Sequence, residues 1–469
     1  MNTVLKKLLI AIGLVLVVAL IAVLYVLDDM MPIGTGHTAK YVCSKVFLSD
    51  QDPEKVFEIE VKPYHILFEP VSSKVNYEKQ TVTSKAFGFW ATTTAVYRPG
   101  IGCTLTTGTS LKALLEQAKG IQRAPASNHN LDWPVGEKVT FDSVPAEVNR
   151  NKLNQVLTNW FMEPGPDTRR NTHAVVVVYK GQIVAEKYAK NIYPSTPLLG
   201  WSMTKSVTNA LVGILVNDGK LNINEPAPVA VWKEQGDPRG KITLDQMMRM
   251  SSGLEFGEVY GPFADATYMF YASKSMANYA ASKPLQFEPD TKWAYSSGTT
   301  NIIARIVRDQ VGGTLVDVYN FSRQRLFDKL AMNSFVIEPD PSGSFVGSSY
   351  GFGTARDWAR FGLLYQNDGV WNGERILPEG WVKYSTTPTP VAPKGEYGSQ
   401  IWLNAGAKDD PSNKVFPSLP NDLYYMSGFN QQIVAVIPSR DIVVVRLGVT
   451  LDNAWSSDQF IKQVLDCIE

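Results

Sequence analysis

The stretch GWSMTKSVTNALVGILVNDGK, residues 200 to 220, sets one serine and one lysine three positions apart at the head of a helical pattern. Met203, Val207, Ala210, Leu211 and Ile214 recur at helical spacing, and Gly219 supplies the stop. Ser202 falls in the first turn, where free backbone N–H groups and the positive helix end stabilise an oxyanion or a nucleophilic oxygen. Lys205 returns to the same face one turn on, within reach of the Ser202 hydroxyl. Burial there would make its ammonium easier to deprotonate, as a base requires. The plainer alternative is a helix cap at Ser202 and a solvated Lys205, since about one or two chance S-x-x-K matches are expected in a chain this long. A histidine-based triad of the G-x-S-x-G type is excluded, because the second glycine is missing and no His follows His173.

Strand signals lie on both sides of this helix. HAVVVVYKGQIVAEKYAK, residues 173 to 190, reads as a hairpin about Lys180-Gly181. QQIVAVIPSRDIVVVRLG, residues 431 to 448, reads as a second hairpin about Pro438 to Asp441. Strands at both ends with helices between predict an α+β fold: one antiparallel sheet from N- and C-terminal strands, covered by helices and carrying a mostly helical insertion.

Composition narrows the class. Apolar residues make up 44% of the 469 and charged residues 19%, which describes a folded chain with a large core. The formal net charge is zero and no Lys/Arg block is longer than a pair such as Lys6-Lys7, so no nucleic-acid footprint is present. The four His are scattered without ligand spacing and there is no C-x-x-C, so no metal site is expected.

The uncharged run LLIAIGLVLVVALIAVLYVL, residues 8 to 27, is 20 residues long. At about 1.5 Å per residue it covers the roughly 30 Å core of a bilayer. It ends in Asp28-Asp29 without a small-x-small cleavage site, which favours an uncleaved anchor over the alternative of a removed signal. Lys6 and Lys7 precede it, so a cytoplasmic tail and a body in the periplasm or its equivalent are expected. The expected organisation is a tail at 1–7, an anchor at 8–27, an accessory segment at 28–150 and a hydrolase domain at 151–469. Cys43 and Cys103, both in the accessory segment, are a disulfide pair or two buried thiols, and an exported segment permits the bond.

SMTK at 202 to 205, SGLEF at 252 to 256 and EPDTKWAYSSGTTNIIARIV at 288 to 307 together resemble the serine β-lactamase and penicillin-binding superfamily. The resemblance is to the class C-like branch with 6-aminohexanoate-dimer hydrolases and related esterases, over residues 172 to 460. It implies an acyl-enzyme on Ser202, with Lys205 as proton acceptor and no cofactor. Tyr295, set by its Pro289-x-x-x-Trp293-x-Tyr295 context, would pass the proton to the leaving group, with Ser297 where relatives often have Asn; the other reading of Tyr295 is a core aromatic. Met426-Ser427-Gly428 stands where relatives have a K-T-G-like triplet. The resemblance implies that the backbone N–H groups of Ser202 and Phe429 form the oxyanion hole. Met426 replaces the lysine that would hold a substrate carboxylate. Tyr260, Asp265, Trp402, Ser427 and Gly428 are candidates to line the cleft. The expected function is hydrolysis of a small ester, amide or peptide; the alternatives are a D-alanyl carboxypeptidase of the cell wall or a lapsed cell-envelope binding protein.

Overall fold

The computed structural model describes residues 3–141, 144–165, 168–261 and 263–469. Its centre is a six-stranded antiparallel sheet in the spatial order Trp402–Leu403, Tyr424–Gly428, Gln432–Ile437, Ile442–Gly448, Thr172–Tyr179, Gln182–Tyr188. The first and last strands in sequence meet at its middle, where Ile442 pairs with Tyr179 and Val445 with Val176. Both expected hairpins are present. Tyr179 pairs with Gln182 across Lys180 and Gly181, which take φ of 49° and 75°. That is the two-residue turn whose twist suits flanking strands.

Valine runs suit this sheet because both of its faces are covered. Successive side chains alternate, so Val176 and Val178 enter one core while Val175 and Val177 enter the other. The first core lies under the helix Ala355–Gln366. There Gly362 allows close approach, since a Cβ on it would sit 2.6 Å from Val443 Cγ1. The second core holds the helices Arg150–Phe161 and Ser457–Leu465, joined by the edge-to-face rings of Trp160 and Phe460, 5.6 Å apart. Between the two pairs of strands the chain forms the helical insertion, including Thr204–Asn217, Asp265–Ala272 and Ser297–Gln310.

The N-terminal helix crosses the expected boundary at residue 28. One helix, Thr3–Phe47, runs through residue 28 without a break. Its large apolar side chains from Val4 to Val26 are exposed, whereas from Met31 onward most residues are buried in the body. Pro32, Gly34 and Gly36 are poor helix residues, but tertiary packing outweighs propensity here. The backbone at Gly36 is pressed against Asp265–Ala272, with the position of a Cβ 3.0 Å from the Tyr271 carbonyl oxygen. Lys40 reaches the buried Glu338, and Lys45 pairs with Glu60 at 2.9 Å. The remainder of the segment includes a four-stranded antiparallel sheet, Val71–Asn76, Thr81–Ala86, Trp90–Arg98 and Gly102–Leu105. Cys43 on the helix and Cys103 on the last of these strands are joined by a disulfide.

Candidate active site

Ser202 sits in a short 3-10 turn, Trp201–Met203, that leads into the helix Thr204–Asn217. Trp201 takes a φ of 49°, a left-handed conformation uncommon for a side chain of this size. This turn projects Ser202 into a cavity it lines together with Trp201, Tyr260 and Phe429. Strand Tyr424–Gly428 runs beside it so closely that a Cβ on Gly428 would lie 2.1 Å from the Gly200 carbonyl oxygen. Gly428 is therefore a backbone-contact position, and it brings Phe429 alongside the turn that carries Ser202.

Lys205 is buried, with 2% of its surface exposed. Its Nζ donates to Ser202 Oγ at 3.2 Å, Ser297 Oγ at 3.0 Å and the Ser348 carbonyl at 3.1 Å. Burial lowers its pKa to about 8, while the negative charge of Glu258 acts in the opposite direction. The Nζ also lies 4.6 Å from the centre of the Tyr295 ring. Burial, and after it the charge of Glu258, push the Tyr295 hydroxyl far above its ordinary range. Trp402 packs on the Tyr295 ring at 5.2 Å.

Glu258 is a member of this constellation that the sequence reading missed. Its carboxylate accepts from the Ser297 backbone N–H at 2.6 Å, from Ser297 Oγ at 2.5 Å and from Tyr260 OH at 2.8 Å. The Ser297 hydroxyl hydrogen is thereby committed to Glu258, and its lone pair faces Lys205. No spacing signal links Glu258 to Ser297, since the two are 39 residues apart.

Two sequence candidates lie elsewhere. Asp265 accepts from the Gly257 N–H at 2.8 Å and Tyr279 OH at 2.6 Å and pairs with Lys283 at 2.5 Å. It braces the loop before its own helix and is absent from the cavity wall. Ser427 follows strand alternation onto the opposite face from Met426 and lines a separate cavity with Phe416 and Trp455. Met426 is wholly buried in the core.

The sequence also gave no warning that the N-terminal helix forms a wall of this cavity. Met30, Ile33, Gly34 and His37 line it, with Leu67 and Phe68 from the turn that follows. Among the described residues, the lining contains no Asp, Glu, Lys or Arg.

The fold and the sequence have relatives. The chain is 24% identical over 298 residues to the 6-aminohexanoate-dimer hydrolase of Paenarthrobacter ureafaciens, which covers 59% of this chain and 72% of that protein. Among solved structures it superposes on a family VIII carboxylesterase with a TM-score of 0.53 at 14% identity, over 69% of this chain and 98% of the other. It superposes on a penicillin-binding protein homologue from Caulobacter crescentus with a TM-score of 0.51 at 16% identity, over 69% and 97%. Residues 157–456 match the beta-lactamase family, and with well over half its length matched the chain belongs to that family.

Proposed function

We propose that the protein is a membrane-anchored serine hydrolase that cleaves an ester or amide through an acyl-enzyme on Ser202. The observation that carries this reading is the buried Lys205 amine 3.2 Å from Ser202 Oγ, with its pKa lowered to about 8. A pair of groups pushed apart in pKa divides the acid and base roles. Lys205 is the group that loses a proton near neutral pH and takes the Ser202 proton. Tyr295, held protonated by its surroundings, is the donor to the leaving group. Backbone N–H groups of Ser202 and Phe429 hold the oxyanion, and water then releases the acyl group. The names of the relatives, a dimer hydrolase and a carboxylesterase, support esters and amides as the substrate class. With Met426 buried and no Lys or Arg in the cavity lining among the described residues, no fixed cation faces a substrate carboxylate there, which weighs against D-alanyl carboxypeptidase action.

The exposed apolar stretch from Val4 to Val26 is read as the bilayer anchor, with Lys6 and Lys7 on the cytoplasmic side and the body outside. The Cys43–Cys103 bond suits an oxidising compartment.

The test is to treat the full chain in detergent with a fluorophosphonate probe and p-nitrophenyl acetate, beside Ser202→Ala and Lys205→Ala. Labelling and turnover are expected in the parent and lost in both variants. A folded parent that neither labels nor turns over would overturn the reading.

A further inference from the structure

Catalytic pocket and anchor helix share residues in this fold. Leu27 is the last residue of the apolar run, and Met30, three positions on and about 4.5 Å along the helix axis, already lines the Ser202 cavity. The cavity therefore begins at the level where the helix would leave the hydrocarbon. Around that level, beside the exposed Asp28 and Asp29, several large apolar side chains face outward. Trp90 Nε1 donates to Asp28 Oδ1 at 3.0 Å, which sets the turn carrying Phe87 and Phe89 beside the helix exit. Those two rings are 56% and 81% exposed. Ile66, next to the cavity residues Leu67 and Phe68, is 78% exposed, and Phe263 on the opposite loop is 64% exposed. Exposed aromatics at such a level are the usual furnishing of a membrane interface.

The cavity itself suits an acyl chain. It has a volume of about 160 Å³, and a water-sized group needs about 10–15 Å³ on the same scale, so a chain of about ten heavy atoms fits. Its wall is mostly apolar surface and contains no Asp, Glu, Lys or Arg among the described residues. One polar atom there, His37 Nδ1, is buried without a hydrogen-bond partner among the described residues. A bound polar headgroup or leaving oxygen would supply one.

We infer that the substrate is a carboxylic ester of a bilayer lipid, which passes laterally along the N-terminal helix into the cavity and places its acyl carbonyl at Ser202. This rests on the serine hydrolase reading above. Ser202 Oγ forms a bond to the acyl carbon, and the bond from that carbon to the lipid's alcohol oxygen breaks. The alcohol leaves with a proton from Tyr295 or Lys205. Water then attacks the acyl carbon, the Oγ bond breaks with return of a proton to Oγ, and a fatty acid departs into the membrane.

Gly34 gives the means of testing it. A Cβ there meets nothing nearer than Val71 Cγ2 at 3.8 Å, so Gly34→Ala is accommodated and Gly34→Leu extends into the cavity. The full chain is reconstituted in phosphatidylethanolamine and phosphatidylglycerol vesicles and given p-nitrophenyl acetate or p-nitrophenyl palmitate. The palmitate ester is expected to give the higher kcat/KM. The palmitate-to-acetate ratio should fall by about tenfold or more in Gly34→Leu, with a smaller fall in Gly34→Ala. Palmitate ester placed in the protein's own bilayer should be cleaved faster than the same ester supplied in separate vesicles. A ratio that is the same in all three proteins, with acetate turned over normally, would overturn the lipid assignment and leave the hydrolase standing. Equal rates from the two vesicle arrangements would overturn lateral entry. No turnover of either ester and no fluorophosphonate label would instead remove the hydrolase reading itself.

Discussion

Lys205 has three oxygens around its nitrogen, and what each can offer decides which proton moves. Ser297 Oγ spends its hydrogen on Glu258, and the Ser348 carbonyl has none, so both accept from Lys205. A neutral amine would then turn its lone pair to Ser202, the one remaining partner and the one with a proton to give. In the proposed mechanism Lys205 acts in its deprotonated form, so kcat/KM for acylation should rise about tenfold per pH unit below about 8 and level off above it. Glu258 holds the Lys205 pKa up, so Glu258→Gln should move this limb to lower pH, and losing the Ser297 anchor should lower the plateau by about tenfold. A pH–rate series on both proteins reads the two effects separately, and an unmoved limb would remove Glu258 from the relay. Tyr295→Phe keeps the ring on Trp402 but deletes the donor, and should cost about a hundredfold or more in kcat on a substrate with a poor leaving group. At this scale the sequence was informative where chemistry is local. Ser202 and Lys205 lie one turn apart, and Tyr295 carries its own context. Glu258 and Asp265 are both loop acids close to the motifs, and only the fold separates the one that reaches Ser297 from the one that braces Gly257 and Lys283.

Secondary elements were legible to the extent that their periodicity was uninterrupted. The two hairpins follow from apolar runs around turn residues, and their pairing in mid-sheet follows from each run being buried on both faces. The N-terminal helix is the counterexample. Asp28, Asp29, Pro32 and two glycines mark an end by local rules, yet the helix continues to Phe47 because its second half packs against the small sheet and Asp265–Ala272. Two contacts between elements can be tested by substitution. The Cys43–Cys103 bond closes a separation of 60 residues, and its loss in a double Cys→Ser variant should lower stability by about 4 kcal/mol. Chemical unfolding followed by tryptophan fluorescence measures it, and an unchanged midpoint would make the bond dispensable. Gly428→Ala puts a methyl group 2.1 Å from the Gly200 carbonyl oxygen, which must push strand Tyr424–Gly428 away from the turn that carries Ser202. A displacement of that kind should cost about a hundredfold in kcat, and fluorophosphonate labelling rates report it directly.

Over the whole molecule, residues 28–47 belong to two parts at once: they continue the exposed apolar helix and they form a wall of the Ser202 cavity. An anchor that served only to tether could be removed at any point after it. Here the location of the cut matters. A chain beginning at Asp28 keeps Ile33, Gly34 and His37 on the cavity, Lys40 on Glu338 and Cys43 on Cys103. It should dissolve without detergent, unfold at the same temperature as the full chain, and retain labelling by a fluorophosphonate. A chain beginning at Leu48 loses all of these. It strips Glu338 of its contacts with Lys40 and Ser44 and uncovers the surface on which the helix packs. The buried residues that the helix covers become exposed and the disulfide is lost as well, so this chain should aggregate or unfold at a much lower temperature. Size-exclusion chromatography and thermal unfolding of the two truncations decide the matter. If the shorter chain were monodisperse and equally stable, the N-terminal helix would be a separable tether, and the coupling of anchor to active site would have to be abandoned.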